Sequence, residues 1–409
     1  MTLDFTLSGN TILKNINLIL NTDCEYFNIH TSLRIPYEEW DEEKKRPKNI
    51  YLEKDKKLNN KLNFLKKEIA SFIIQRQIDQ KEINKKIISK LIKNLIKQPH
   101  EQVSESSFLF YIHQYINERK DFICNSTFKR YKVFYNLIQR FEGYIMKNLF
   151  IDDINMKFVK KLIIYGKEEG YSENTIYRTI DFVKTILNFL EGKGIRTPVR
   201  EINVRKEKQQ KYVLTLSEKE IIQIKNTCVP DELEQTKDWL IISCYTGQRF
   251  SDFMKFSTCQ IIEVDDKKCI KFIQKKTKNE ITLPLHPVVM DILYKNENTF
   301  PESMDIITYN KQVKLIAKMA GINSTLKVKI RTKHRVISLI TEKWRAISSH
   351  IGRRSFATNF YGKIPTPLLM RATGHSTEQV FLKYINYTDN EHIIPLSNHF
   401  DRIYNSIIL

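Results

Sequence analysis

The chain has 409 residues, with 67 Lys and Arg against 47 Asp and Glu, a formal net charge of +20, and 41% hydrophobic residues. That length exceeds one ordinary domain and points to two or three, and the apolar share is enough to build their cores. The charge favours a polyanionic partner; no run nears the ~18 apolar residues of a membrane span and MTLDFTLSGN lacks a secretion signal, so the expectation is a cytoplasmic, nucleoid-associated nucleic-acid binder without a membrane partner.

Residues 3–35 alternate as short strands, LDFTL, ILKNINLIL and EYFNIHTSLRI, with turn-prone SGN and NTD between them. Pro36 then opens PYEEWD, a first helical turn or tight turn. From Lys57 the period changes: Leu58, Leu62, Leu65, Ile69 and Phe72 fall at helical spacing, and Ile83, Ile87, Leu91 and Leu95 repeat it, with lysines on the other faces. A sheet-plus-helix domain over 1–97 is the result, closed by the polar linker QPHEQVSESS at 98–107.

Four helical patterns follow within 108–196: Phe108–Glu118, Ser126–Tyr144, Met156–Lys167 and Ser172–Leu190, the last stopped by Gly192 and Gly194. Short connections make them an all-α bundle. Its cations Lys129, Arg130, Lys132, Arg140, Lys160, Lys161 and Arg178 form a collective phosphate-contact set, with Lys129, Arg130, Lys132 and Arg178 as the named candidates. The charged stretch TPVREINVRKEKQQKY at 197–212 reads as a second linker, suited to letting two domains wrap a duplex.

The remainder, 213–409, reads as a mainly α domain with a small antiparallel sheet, so the fold class is multidomain α+β. Ser217 and Glu220 form a capping box before a helix, and Asp238–Tyr245 is a strongly apolar helix ending at Thr246-Gly247. Strands are expected at 260–264, 268–274 and 280–285, helices at Pro287–Tyr294 and Asn310–Met319, and a further hairpin within 326–341. The six cysteines, at positions 24, 124, 228, 244, 259 and 269, include no C-x-x-C pair and read as reduced small hydrophobes, Cys228 and Cys244 in helices and Cys269 in a strand. No metal site or cofactor is expected, since neither clustered carboxylates nor a glycine-rich phosphate loop accompanies these segments.

Four short stretches of this last part carry chemistry. CYTGQRFSD sets Arg249 on a turn between two helices, with Ser251 placed to cap the second. IKFIQKKTKNEITLPL puts Lys276 near a hairpin tip, directly before Thr277. SHIGRRSFATNF sets His350 and Arg353 three apart on one helical turn, with Arg354 toward another face. ATGHSTEQVFLKYI sets His375 after Gly374, before a helix that Ser376 can cap, and holds Tyr384 next to its last residue. Guanidinium groups bond two phosphate oxygens at once, so the set reads as a phosphate cluster aimed at a tyrosine hydroxyl, with Asp252 as an orienting carboxylate.

The TG-x-R-x-S-D box, the lysine before threonine, H-x-x-R, Gly-His and the final tyrosine resemble the tyrosine recombinases, also called the phage integrase family. The resemblance implies a metal-independent strand transfer through a 3′-phosphotyrosine. Tyr384 is then the nucleophile and Arg249 and Arg353 are the phosphate clamps. Lys276 is the proton donor to the 5′ oxygen, His350 positions the phosphate or accepts the tyrosine proton, and His375 bonds a phosphate oxygen. Tyr387 is left as packing. The resemblance also implies an arm-binding-like domain at 1–97, of the type found in integrases from Bacteroides-like bacteria. It further implies a core-DNA-binding bundle at 108–196 and a tail from Ile393 that docks on its own domain or on a neighbouring subunit. The implied partners are double-stranded DNA and three further copies on synapsed DNA, with room for a DNA-bending accessory protein. A type IB-like topoisomerase and a non-catalytic DNA-binding regulator with this fold are the alternatives.

Overall fold

The computed structural model describes residues 1–22, 25–97, 105–204, 213–332 and 335–385, with isolated positions of the tail beyond. Much of both linkers, Cys24, Tyr387 and most of the tail from Ile393 lie outside the described residues. The chain forms two compact units, Met1–Glu207 and Lys208–Leu409.

In the first unit, strands β1 (Thr2–Ser8), β2 (Leu13–Asn21) and β3 (Tyr26–Pro36) form an antiparallel meander. Phe5 lies opposite Leu18, and Leu18 opposite Ile29, so strand alternation sends this row to one face. There it buries against Leu62, Leu65 and Ile69 of α1 (Glu53–Ile78) and Ile88, Ile92 and Leu95 of α2 (Lys85–Lys97). The expected turn at Pro36 is a short 3-10 segment, Tyr37–Glu39, followed by the two-residue strands β4 (Trp40–Asp41) and β5 (Arg46–Pro47).

The bundle consists of α3 (Phe108–Arg119), α4 (Asn125–Ile145), α5 (Met156–Glu168) and α6 (Glu173–Gly192) around Phe108, Ile112, Leu137, Ile138, Phe141 and Ile186. Helix α1 runs against α4, where Gly143 leaves no room for a Cβ: one built there would stand 2.4 Å from Asn63. The buried Lys67 ammonium donates to Glu142 Oε2 and Asn148 Oδ1, both at 2.9 Å, and Glu142 Oε1 accepts the Leu149 N–H. Arg140 departs from the sequence expectation. It is buried between the rings of Tyr51 and Tyr171, at 5.4 and 5.8 Å, so its cation is packed and not presented to solvent. Lys129, Arg130, Lys132 and Arg178 are exposed.

The second unit opens with α7 (Glu218–Asn226), where the Ser217–Glu220 capping box closes in both directions. Helix α8 (Asp231–Thr246) starts a full seven residues before the apolar run, because its first two turns are the polar DELEQTK and carry no hydrophobic stripe. Its later turns are buried almost all round, at Trp239, Leu240, Ile241, Ile242 and Cys244. Cys228 lies in the exposed loop between α7 and α8, not in a helix; Cys244 is in α8 as expected. After α9 (Phe250–Phe253) come β6 (Ile261–Val264), β7 (Lys267–Ile273, which holds Cys269) and β8 (Glu280–Pro284), paired antiparallel in that order. Helices α10 (Pro287–Lys295) and α11 (Ile306–Met319) follow; α11 begins four residues before its expected start because Asp305 caps it through the Ile307 and Thr308 N–H groups. The hairpin β9 (Thr325–Thr332) and β10 (Arg335–Glu342) then leads through α12 (Lys343–Ala346) to α13 (Ile351–Phe360), α14 (Thr366–Thr373) and α15 (Glu378–Phe381).

Candidate active site

Two helices set the frame. Helix α13 crosses α8 at Gly352, where a Cβ would stand 1.9 Å from Ser243 Oγ, so only glycine permits the approach. Helix α8 ends on Gly247 at φ 66°, with Phe356 of α13 filling the space a side chain would need. The close crossing brings the Arg353 side chain under the α8 terminus. Its Nη1 donates to the Gly247 carbonyl at 3.0 Å, satisfying one of the acceptors a helix end leaves over.

Arg353 is 1% exposed. Desolvation, then the neighbouring Arg249 cation, pull its pKa down to about 10, with Tyr384 and Asp252 opposing. Its Nη2 lies 2.8 Å from His375 Nε2, and the other ring nitrogen, Nδ1, lies 2.8 Å from Thr373 Oγ1. Since the Thr373 hydroxyl donates to the Leu369 carbonyl at 2.6 Å, it accepts from His375 Nδ1–H, which leaves Nε2 to accept from arginine. Burial, then the cations of Arg353 and Arg249, push the His375 pKa down to about 3, in keeping with that neutral tautomer.

Tyr384 ends a 3-10 turn, Leu382–Tyr384, half-buried against this pair. Its ring lies 4.8 Å from that of His375, and the Arg353 guanidinium carbon 5.4 Å from its centroid. His350 is the N-cap residue of α13 and is exposed. Desolvation lowers its pKa, followed by the cations of Arg354, Arg353, Arg249 and Lys276. Lys276 itself sits exposed in the turn between β7 and β8. The structure therefore brings Arg249, His350, Arg353, His375 and Tyr384 together, with Lys276 at the rim. Arg354, next to Arg353 and about 100° round the helix, is half-buried; desolvation lowers its pKa, with Tyr384 opposing.

Arg249 is held by a residue the sequence reading passed over. Its Nη1 donates to Gln274 Oε1 at 3.1 Å, and Thr277 Oγ1 donates to the same oxygen at 2.6 Å. Gln274 Nε2 donates to Gln248 Oε1 and to the Thr373 carbonyl, and Gln248 Nε2 donates to the carbonyls of Thr246 and Ala372. Both glutamines are wholly buried, so this amide chain ties the arginine turn, the lysine hairpin and the histidine turn into one body. A signal was available: Gln274 continues the register of the buried Ile270 and Phe272, and an amide in an apolar register has to be bonded. Asp252 reinforces the same joint, its Oδ1 accepting the Lys275 N–H at 3.0 Å and its Oδ2 standing 4.0 Å from Arg249.

Two caps differ from expectation. Ser251 bonds Asp252 instead of capping α9, whose N-cap residue is Arg249. Thr377, not Ser376, caps α15, because the chain turns one residue later after the left-handed Gly374.

Residues 107–189 match the phage integrase SAM-like domain. The chain is similar in structure to a lambda integrase dimer bound to a core site, at a TM-score of 0.51 and 15% identity, over 70% of this chain and 97% of that one. It is also similar to the Tn1549 transposon integrase in complex with transposon right end DNA, at 0.52 and 14%, over 73% and 99%. A second complex of that integrase, with a circular intermediate DNA, gives 0.53 and 13%. None of the curated proteins matches the chain in sequence. The chain thus carries a phage integrase SAM-like domain and, over about seven-tenths of its length, has the fold of the tyrosine recombinases.

Proposed function

We propose that the protein is a site-specific DNA recombinase that integrates or excises a mobile element through a 3′-phosphotyrosine at Tyr384. The observation that carries the reading is the convergence of two guanidinium groups, two histidines held toward neutrality and one tyrosine in a pocket where Arg353 Nε has no partner among the described residues. A buried cation with an unused donor is matched to a phosphate oxygen.

In this reading Tyr384 Oη attacks phosphorus, the bond from phosphorus to the 5′ oxygen breaks, and the phenol proton passes to neutral His350. Lys276 supplies the proton that the departing 5′ oxygen takes up. Arg249 and Arg353 hold the non-bridging oxygens, whose charge grows in the transition state. His375, whose ring proton is committed to Thr373, orients Arg353. The ester bond preserves the energy of the cleaved linkage, so attack by a 5′ hydroxyl from another duplex reverses the step.

The partners are double-stranded DNA and further copies of the chain, a tetramer when two duplexes are synapsed. The division carried into this reading is an arm-binding-like domain at 1–97, a linker at 98–107, a core-binding domain at 108–196, a linker at 197–212 and a catalytic domain at 213–409. Lys129, Arg130, Lys132 and Arg178 contact phosphates from the core-binding domain. A cytoplasmic place on the nucleoid goes with that activity; no helix among the described residues is long and apolar enough to cross a membrane.

The test is strand exchange between two differently labelled duplexes carrying the DNA that flanks the gene. Joined products support the reading, relaxation of supercoiled plasmid without exchange supports the topoisomerase, and binding without either reaction supports the regulator.

A further inference from the structure

Helix α2 reads KKIISKLIKNLIK and holds no Asp or Glu. At 100° per residue Lys86, Lys90, Lys93 and Lys97 fall within an arc of roughly 60°, and that arc lies about 160° from the centre of the Ile88, Ile92 and Leu95 face. The structure agrees. Those three apolar residues are buried in the core shared with Leu18, Leu20 and Ile29 of the sheet, and all four lysines are exposed. None of the four has an ion pair among the described residues, whereas Lys54, Lys57, Lys66 and Lys81 in and just beyond α1 each meet a carboxylate. Lysines that only keep a helix soluble are commonly interleaved with acids that offset their mutual repulsion; here that offset is missing over three turns.

We infer that the lysine face of α2 is a binding surface for the phosphate backbone of double-stranded DNA, independent of base sequence. The inference rests on the recombinase reading for the identity of the polyanion. Charge and length are matched: from Lys86 to Lys97 the helix rises about 16 Å. Duplex DNA carries one charge per ~1.7 Å of axis, so several phosphates face the stripe. Lysine suits this use because its ammonium is a mobile point charge that follows a backbone without reading bases.

The position of the stripe has a consequence. Helix α2 packs beside β3 on the inner face of the sheet, and the sheet's other face carries Thr6, Asn28 and His30. The lysine stripe looks away from that polar face, with the core of Phe5, Leu18 and Ile69 between them. A straight duplex segment held by α2 therefore does not also touch the sheet's polar face.

The test uses the full chain, a generic duplex of about 30 base pairs, and salt titration between about 50 and 200 mM KCl. Three proteins are compared: wild type, K86Q/K90Q/K93Q/K97Q, and the charge-keeping K86R/K90R/K93R/K97R. Each backbone contact contributes about −0.9 to the slope of log K against log salt. The glutamine variant is expected to lose about 3 to 4 of that slope and at least about tenfold in affinity at the lowest salt, while the arginine variant keeps both. An unchanged slope in the glutamine variant overturns the inference and makes the stripe a solvated face; so does an equal loss in both variants, which makes the effect one of shape. A lysine-dependent gain in binding to vesicles of anionic lipid, with the DNA slope unchanged, assigns the face to a membrane and overturns it too. Covalent adduct formation by the wild type on a nicked core duplex is recorded alongside, and its failure counts against the recombinase reading while the salt slope still decides the role of α2.

Discussion

Arg353 and Lys93 are both cations without a carboxylate of their own, yet they sit in opposite environments. Arg353 is 1% exposed and fixed at both ends of its guanidinium group by the Gly247 carbonyl and His375. Lys93 stands in water on a helix face with no partner among the described residues. In the pocket the charge has been desolvated in advance and its direction set, which is what stabilises a transition state in preference to a ground state. On α2 the charge keeps its hydration and freedom, which suits a partner met at many registers. Position within the pocket is therefore specific to a fraction of an ångström, whereas on α2 only the number of charges counts.

The contrast breaks if the pocket tolerates exchange. Arg353→Lys keeps the charge but loses the fork; strand cleavage is expected to fall by about 10²- to 10³-fold, the scale of removing one transition-state donor. Single-turnover cleavage measures it, and a loss under about fivefold would put the pocket and α2 in one class. Gln274→Leu is next: it frees Arg249 and strands partners in Gln248 and Thr277, with cleavage reduced about 10²-fold through misplacement. Duplex binding by that variant should stay near wild type, a split that general unfolding would not produce.

Gly374→Ala tests the joint by stability. Gly374 has φ 69°, and a Cβ there would stand 2.4 Å from Gln274 Oε1, so a loss of about 1–3 kcal/mol in urea unfolding is expected. The last effect is on pH. His375 has its folded pKa lowered to about 3, below the ordinary 6.5, so the stability it contributes is complete above about 6.5 and is lost as pH falls toward 3. Its share is at most about 1.4 kcal/mol per pH unit in that window. His375→Asn should flatten part of the acid limb of an unfolding-midpoint curve, whereas an unchanged limb would mean that this histidine is not held neutral.

Much of this was legible beforehand, for physical reasons that differ by region. The sheet announced itself by alternation and α3–α6 by period, and the structure finds these elements within a residue or two of their expected bounds. Arg249 and Arg353, which the fold brings together, carry the motif in their own side chains and were readable one by one. Gln248 and Gln274 were not, because a buried amide gains meaning only from the partners that three distant segments bring to it. The first turns of α8 were missed since a polar helix start has no stripe, and Arg140 was misread because sequence does not tell a cation stacked between two tyrosines from one in water.

Whether this pocket makes Tyr384 a nucleophile toward DNA is decided by a covalent-adduct assay in EDTA. It uses a nicked duplex from the flanking DNA, with wild type beside Tyr384→Phe. A protein–DNA adduct is expected with wild type and none with the variant, both binding the duplex equally. A wild type that binds that duplex and generic DNA but forms no adduct on either would contradict that, leaving a DNA-binding protein with a catalytic-looking pocket.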